Sequence, residues 1–406
     1  MLDLKLFCTK IPKCEFNVRW EACVGKSALR TLLEYRRLAG KAELTNEQRK
    51  LLWAYGHPRD MKEALQSMSI IYDLVVLQEH IFMITLDIIN YYNADNVLYL
   101  ELHVKPYMID ELSPEILLRK MIQAISFSKA EHGDMIIKIL LIAELEESIE
   151  KVRDVIDLLL IFGKTHRNQN LPDSDIINGV EIVFVNSNEN VMYQLQKIIE
   201  FIRRESDLTI VFNLAKMSYN FNLLHNILLL HPDRLCNAEI LSESENQIDQ
   251  HILIDRLLSM KLPIEFSYTV NRLSYTEDKK FIWRKYLHYL FSIQYPIILT
   301  TGYSMLLGCN LSDEYYQLAT TMNLKPSDIY KLSLTTSFFT EKTPRIHRHN
   351  LFPFGQQYDE FAKLYKQENS IDFKLEILRN CQFFLSRPLN CKHKRRRRHI
   401  IDILYF

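Results

Sequence analysis

Glycine is scarce in this chain, with nine among 406 residues, where an average composition holds about 7%. That argues against a site built from phosphate-cradling or strained catalytic loops, which generally need glycine. The seven cysteines, at 8, 14, 23, 236, 309, 381 and 391, include no Cys-x-x-Cys pair. Such scatter fits a reduced intracellular protein rather than a disulfide scaffold. Neither sign of charge dominates: 50 Lys and Arg balance 50 Asp and Glu, so no global field steers the chain to nucleic acid or membrane. No charge-free apolar run approaches the roughly 18 residues of a membrane span. The stretch before Thr9-Lys10 is too short for a signal-peptide apolar region, so a cytoplasmic location is expected. No Gly-x-Ser-x-Gly elbow is present. Gly25-Lys26-Ser27 imitates the end of a phosphate-binding loop, but Trp20 stands where its first glycine should be.

What is present is apolar material, 48% of the chain, enough for one large α/β barrel or two domains. Strand-like runs occur at 11–20, 96–104, 135–143, 180–187, 208–215, 234–240, 263–269 and 296–301, separated by helix-periodic segments. Eight strands alternating with helices predict a (β/α)8 TIM barrel. In the first run, strict alternation puts Glu15, Asn17 and Arg19 on one face and Cys14, Phe16 and Val18 on the other. Glu, Asn and Arg on one strand face suit the mouth of a barrel better than a packed core.

That run, Ile11-Pro12-Lys13-Cys14-Glu15-Phe16-Asn17-Val18-Arg19-Trp20, resembles the first strand of the adenosine/AMP deaminase family. The likeness is to the branch of adenosine deaminase-like proteins acting on N-methylated AMP, whose pattern is Leu-Pro-Lys-x-Glu-Leu-His-x-His-Leu. Leu100-Glu101-Leu102 continues the likeness with His103 in place of an arginine. Pro232-Asp233-Arg234, Pro263-Ile264-Glu265 with Asn271, and Asp313-Glu314-Tyr315 follow in family order. The resemblance spans about residues 7–334 and implies a TIM barrel of the metal-dependent hydrolase type, with zinc and a purine substrate.

The same resemblance implies that the chemistry has been lost. The family's zinc positions fall on Asn17, Arg19, Asn213 and Thr301. Its catalytic positions fall on Lys216 for the glutamate, Asn237 for a histidine and Gly302 for an aspartate. Its Ser-Gly-Asp after the fourth strand becomes Asn186-Ser187-Asn188. Amides and hydroxyls are poor zinc ligands, and a guanidinium repels the cation. No cofactor is therefore expected. With Arg19 and Lys216 in place of the metal and its acids, the pocket is expected to turn basic. It then becomes a candidate nucleotide-binding site formed by Arg19, Lys216 and Asn271. The competing expectation pairs Arg19 with Glu15 or Glu101, because a buried charge needs a partner, and lets Lys216 reach solvent.

Three functions are thus expected as alternatives. The first is an inactive family member that binds a purine nucleoside or nucleotide, or a protein partner. The second is an active zinc-dependent adenosine or N-methyl-AMP deaminase with a rearranged site. The third is a nuclear factor acting through its basic tail. The barrel is expected over residues 1–340 and a helical, polar extension over 341–406. That extension contains His347-Arg348-His349, an isolated pair without nearby carboxylates. It ends in the run 392–399, whose Lys392, Lys394, Arg395, Arg396, Arg397 and Arg398 read as a nuclear address or a nucleic-acid patch.

Overall fold

The computed structural model describes residues 3–107, 112–132, 135–146, 148–163, 175–185, 191–242, 246–274, 277–340 and 354–369. Eight strands form one sheet in chain order: β1 Lys13–Arg19, β2 Val97–Val104, β3 Ile136–Leu145, β4 Ile177–Val185, β5 Thr209–Lys216, β6 Arg234–Cys236, β7 Ile264–Phe266 and β8 Ile297–Leu299. Every neighbouring pair is parallel. The last gap closes just beyond β8. There the Arg19 N–H donates to the Gly302 carbonyl and the Gly302 N–H to the Asn17 carbonyl, both at 2.9 Å. Helices connect the strands, so the fold is the expected (β/α)8 barrel.

Alternation along the strands sorts the side chains into two layers. Leu100, Leu102, Ile139, Leu141, Ile182, Phe184, Ile210 and Phe212 face the helices in one continuous apolar core. The barrel interior holds smaller apolar clusters, Cys14, Phe16, Tyr99 and Ile298 in one and Leu140, Val211 and Cys236 in another. Buried polar residues are interleaved with them, Glu181 and Arg234 level with Val211 and Glu265 level with Cys236 and Ile298. The aromatic-rich outer layer continues into the helix Gly355–Asn369. Its Phe361 and Tyr365 rings lie 5.4 and 4.7 Å from that of Phe7, and its Tyr358 hydroxyl meets that of Ser333 at 2.8 Å.

Several expected boundaries shift. The sixth and seventh strands are only three residues long. They give way to a 3-10 turn at Ala238–Ser242 and a helix at Tyr268–Ser274, so expected strand ends at 240 and 269 are corrected. The segment 39–50, expected as loop or partial helix, is helical from Asn46, in a helix that runs on to Trp53 and is opened by a Thr45/Gln48 capping box. The more consequential correction is in β1. Between Glu15 and Val18 three steps on β1 match two on β2, which is a β-bulge. Cys14 and Phe16 lie in the interior cluster, Val18 joins the outer core, and Asn17 and Arg19 make their contacts with interior residues. Glu15 bonds outward instead, to Asn17 N–H, Thr300 and Thr301. The face Glu15–Asn17–Arg19 expected from strict alternation therefore does not form. Residues 186–188, His347, His349 and the basic run 392–399 lie outside the described residues.

Candidate functional site

In a parallel barrel the strand C-termini carry the chemistry, and this end is filled by buried ions. Glu181 on β4 is fully buried. One carboxylate oxygen accepts from Arg19 Nη2 at 2.5 Å and Asn213 Nδ2 at 2.6 Å, and the other lies 2.5 Å from His103 Nδ1. The second His103 nitrogen lies 2.8 Å from the Phe16 carbonyl at the β1 bulge. Across the barrel, Arg234 on β6 donates to Glu265 on β7 at 2.7 Å and to Glu101 on β2, with its guanidinium 4.8 Å from the Phe16 ring centroid. Tyr99 donates to Glu101. The Asn17 amide and the Cys236 thiol donate to Glu265 at 3.0 and 2.8 Å.

Electrostatics follow from this pairing. Burial pushes the Glu181 carboxyl up, and Arg19 and His103 overcome it, leaving it at about 2. Burial opposes a charge on His103, but Glu181 raises it to about 9, so at neutral pH the ring is an imidazolium donating from both nitrogens. Glu101 is lowered by Arg234 against the pull of burial. Three cations, Arg19, Arg234 and His103, thus face three carboxylates, Glu101, Glu181 and Glu265. The expectation of a basic pocket is corrected, because it omitted these acids. The expected partner of Arg19 is corrected too: it is Glu181, not Glu15 or Glu101.

The remaining candidate residues divide between centre and rim. Thr301 is buried, its hydroxyl 2.8 Å from Tyr92 and its N–H donating to Glu15 at 2.9 Å. Asn213 accepts from Asn237 Nδ2 at 3.0 Å and from the Ala215 N–H at 2.9 Å. Gly302, at φ +68°, is part of the barrel closure. Asn271 donates to Glu239 at 3.0 Å and to the Ser267 carbonyl at 2.8 Å. Lys216 sits on the rim with its side chain 54% exposed and its ammonium 2.7 Å from Glu144, which also holds Lys105 at 2.5 Å. Burial raises Glu144, and the two lysines bring it down to about 2. The structure therefore joins Asn17, Arg19, Asn213 and Asn237 to one centre and leaves Lys216 and Asn271 with other partners.

A zinc ion does not suit this donor set. Asn17 and Asn213 turn N–H groups toward carboxylates, Arg19 is a cation, and Thr301 is engaged with Tyr92. Among the described residues no group of three or more His, Cys, Asp or Glu is arranged to hold a metal. Burial and then Glu265 push the Cys236 thiol well above its ordinary value, the opposite of a nucleophilic cysteine. Sequence reasoning missed Glu181 and the partnership of Glu265. The available signal was a carboxylate inside the apolar run Val180-Glu181-Ile182, which requires a buried cation opposite it.

Fold and strand order define a (β/α)8 TIM-barrel protein with a buried ionic centre. No family model matches the chain. It is 24% identical over 329 residues to N6-methyl-AMP deaminase of Bos taurus, covering 80% of this chain and 89% of that protein. It is 24% identical over 326 residues to an adenosine deaminase-like protein of Caenorhabditis elegans, covering 79% and 76%. Its fold matches the apo N6-methyl-AMP deaminase of Arabidopsis thaliana at a TM-score of 0.68 and 17% identity, over 90% of this chain and 99% of that one. An amidohydrolase with bound Zn from Burkholderia ambifaria matches at 0.67 and 13% identity, over 90% and 95%. In sequence the chain is similar to the adenosine/AMP deaminase family over about four-fifths of its length.

Proposed function

We propose that this protein is a family member that does not carry out zinc-dependent deamination, and that its barrel serves as a ligand-binding or interaction module. The observation that carries this reading is the carboxylate of Glu181 held by Arg19, His103 and Asn213 at the strand ends. By the sequence resemblance, two of those donors stand at zinc positions. Among the described residues, a network in which these cations have buried acid partners leaves no ligand set for a Lewis acid.

The ligand class proposed is a purine nucleotide. Its support is the kinship to N6-methyl-AMP deaminases, and an Arabidopsis relative of the fold complexed with IMP. Of the residues proposed from sequence to meet it, Arg19 and Asn271 are engaged inside the protein. Lys216, with Lys105 around one carboxylate, leaves a positive excess on the exposed rim where a phosphate can approach.

The test is metal analysis of the purified full chain together with assays on adenosine, AMP and N6-methyl-AMP. The expected result is no stoichiometric zinc, no turnover with or without added zinc, and AMP or IMP binding that weakens in Lys216→Ala. Stoichiometric zinc with turnover would overturn the non-catalytic reading. Absence of nucleotide binding would remove the ligand assignment and leave the interaction module.

A further inference from the structure

A deaminase barrel centre is built to hold a cation, and this one is arranged in the opposite sense. The three donors on Glu181 come from three strands, Arg19 on β1, His103 on β2 and Asn213 on β5. Two of them are aimed by a second partner that does not involve Glu181. The Asn213 oxygen is held by Asn237 Nδ2 and the Ala215 N–H, which turns Nδ2 toward the carboxylate. Both His103 nitrogens face acceptors, the Phe16 carbonyl at Nε2 and the Glu181 carboxylate at Nδ1, so the doubly protonated ring donates Nε2–H to Phe16 and aims Nδ1–H at Glu181. Donors fixed in this way form a site for an oxyanion in their own right.

We propose that the strand-end centre is a carboxylate-binding cradle of Arg19, His103 and Asn213, and that the Glu181 side chain is its tethered occupant. The chemical class it takes is a small planar carboxylate. The paired oxygens of such an ion match one guanidinium N–H and one amide N–H on one side and the imidazolium N–H on the other. The site is closed to free anions because the chain supplies its own. Removing the side chain beyond Cβ leaves the three donors in place with room for formate or acetate. This goes beyond the proposed function, since the cradle is read from stability and not from turnover.

The test is chemical rescue of Glu181→Ala, followed by thermal melting of the full chain. Formate should raise the variant's Tm by about 2 °C more than the parent's, the shift expected at roughly ten times its Kd in a domain of this size. Sodium chloride at equal ionic strength should recover less than half of that, and zinc none. Equal rescue by formate and chloride, or stabilisation by zinc, would overturn the proposal. If Glu181→Ala does not fold, the comparison moves to Glu181→Gln and the pair Arg19→Met/Glu181→Gln. A cradle predicts that the pair melts above Glu181→Gln alone, because the orphaned cation is gone. Additive losses in the pair would overturn it.

Discussion

Arg234→Leu is the substitution whose cost can be bounded from both sides. The guanidinium is buried, joins Glu265 and Glu101, and covers the Phe16 ring. Breaking a buried ion pair by removing one partner costs about 3–5 kcal/mol, and the lost cation–π contact about 0.5–2 kcal/mol. An upper bound comes from the escape open to the two acids. Each orphaned glutamate can take up a proton, which at pH 7 costs about 3.4 kcal/mol for a carboxyl of ordinary pKa near 4.5. Both together cap the electrostatic part at about 7 kcal/mol. At pH 5 the same escape costs about 0.7 kcal/mol per acid. The variant should therefore unfold in urea with a deficit of about 4–7 kcal/mol at pH 7, narrowing by several kcal/mol at pH 5. Arg234→Lys should fall between, since one ammonium replaces a fork that reaches two strands. Urea midpoints at the two pH values, followed by circular dichroism with unchanged m-value, measure this. A deficit below about 1 kcal/mol at pH 7, or one that does not change with pH, refutes the reasoning.

Other outcomes follow from individual groups. Burial raises Glu15 and Glu314 to about 7 against their hydrogen-bond donors, so the stability they contribute is complete below about 4.5 and is lost as pH rises through 7. His103, raised to about 9, contributes fully below about 6.5 and loses it through 9. Glu181, lowered to about 2, contributes above about 4.5 and fails only in strong acid. Burial lowers Lys13 to about 8, so it alone favours folding more as pH climbs from 8 to 10.5. Urea midpoints should then peak near about pH 4.5, and a maximum above pH 8 would contradict these assignments. Gly308→Ala should cost about 2 kcal/mol or more in the same assay, because an added Cβ at φ +67° would lie 1.9 Å from the Gly56 carbonyl oxygen. Lys216→Ala should change stability by less than about 1 kcal/mol, its ion pair being half exposed. A chelator should leave the Tm of the full chain unchanged.

How far the sequence could be read depended on whether a residue acts through its own strand or across the barrel. The eight-strand alternation was legible because outward apolar positions such as Ile210, Phe212 and Leu214 repeat with a period of two. Pro232-Asp233-Arg234 was legible as a motif, and its two charged side chains have work in the frame. Asp233 accepts from the Ile210 N–H at 2.9 Å, and Arg234 joins β6 to β2 and β7. The Glu15 face was misread because the β1 bulge leaves no mark in the one-dimensional pattern. An extra residue shifts every later side chain to the other face.

The partner of Arg19 was out of reach for a different reason. Glu15 and Glu101 are close in sequence or on the neighbouring strand, whereas Glu181 is 162 residues away on β4. A long side chain at a barrel mouth reaches across the axis, so neighbours in the sheet are poor guides to its contacts. Charge counting at the family positions failed on the same point. It counted only the acids at the catalytic positions, while Glu181 and Glu265 lie at positions outside that set. A barrel centre is therefore better judged by asking which buried cation each strand-embedded acid must meet than by summing charges at positions taken from a resemblance. Here that question leads from Glu181 to Arg19 and His103, and from Glu265 to Arg234.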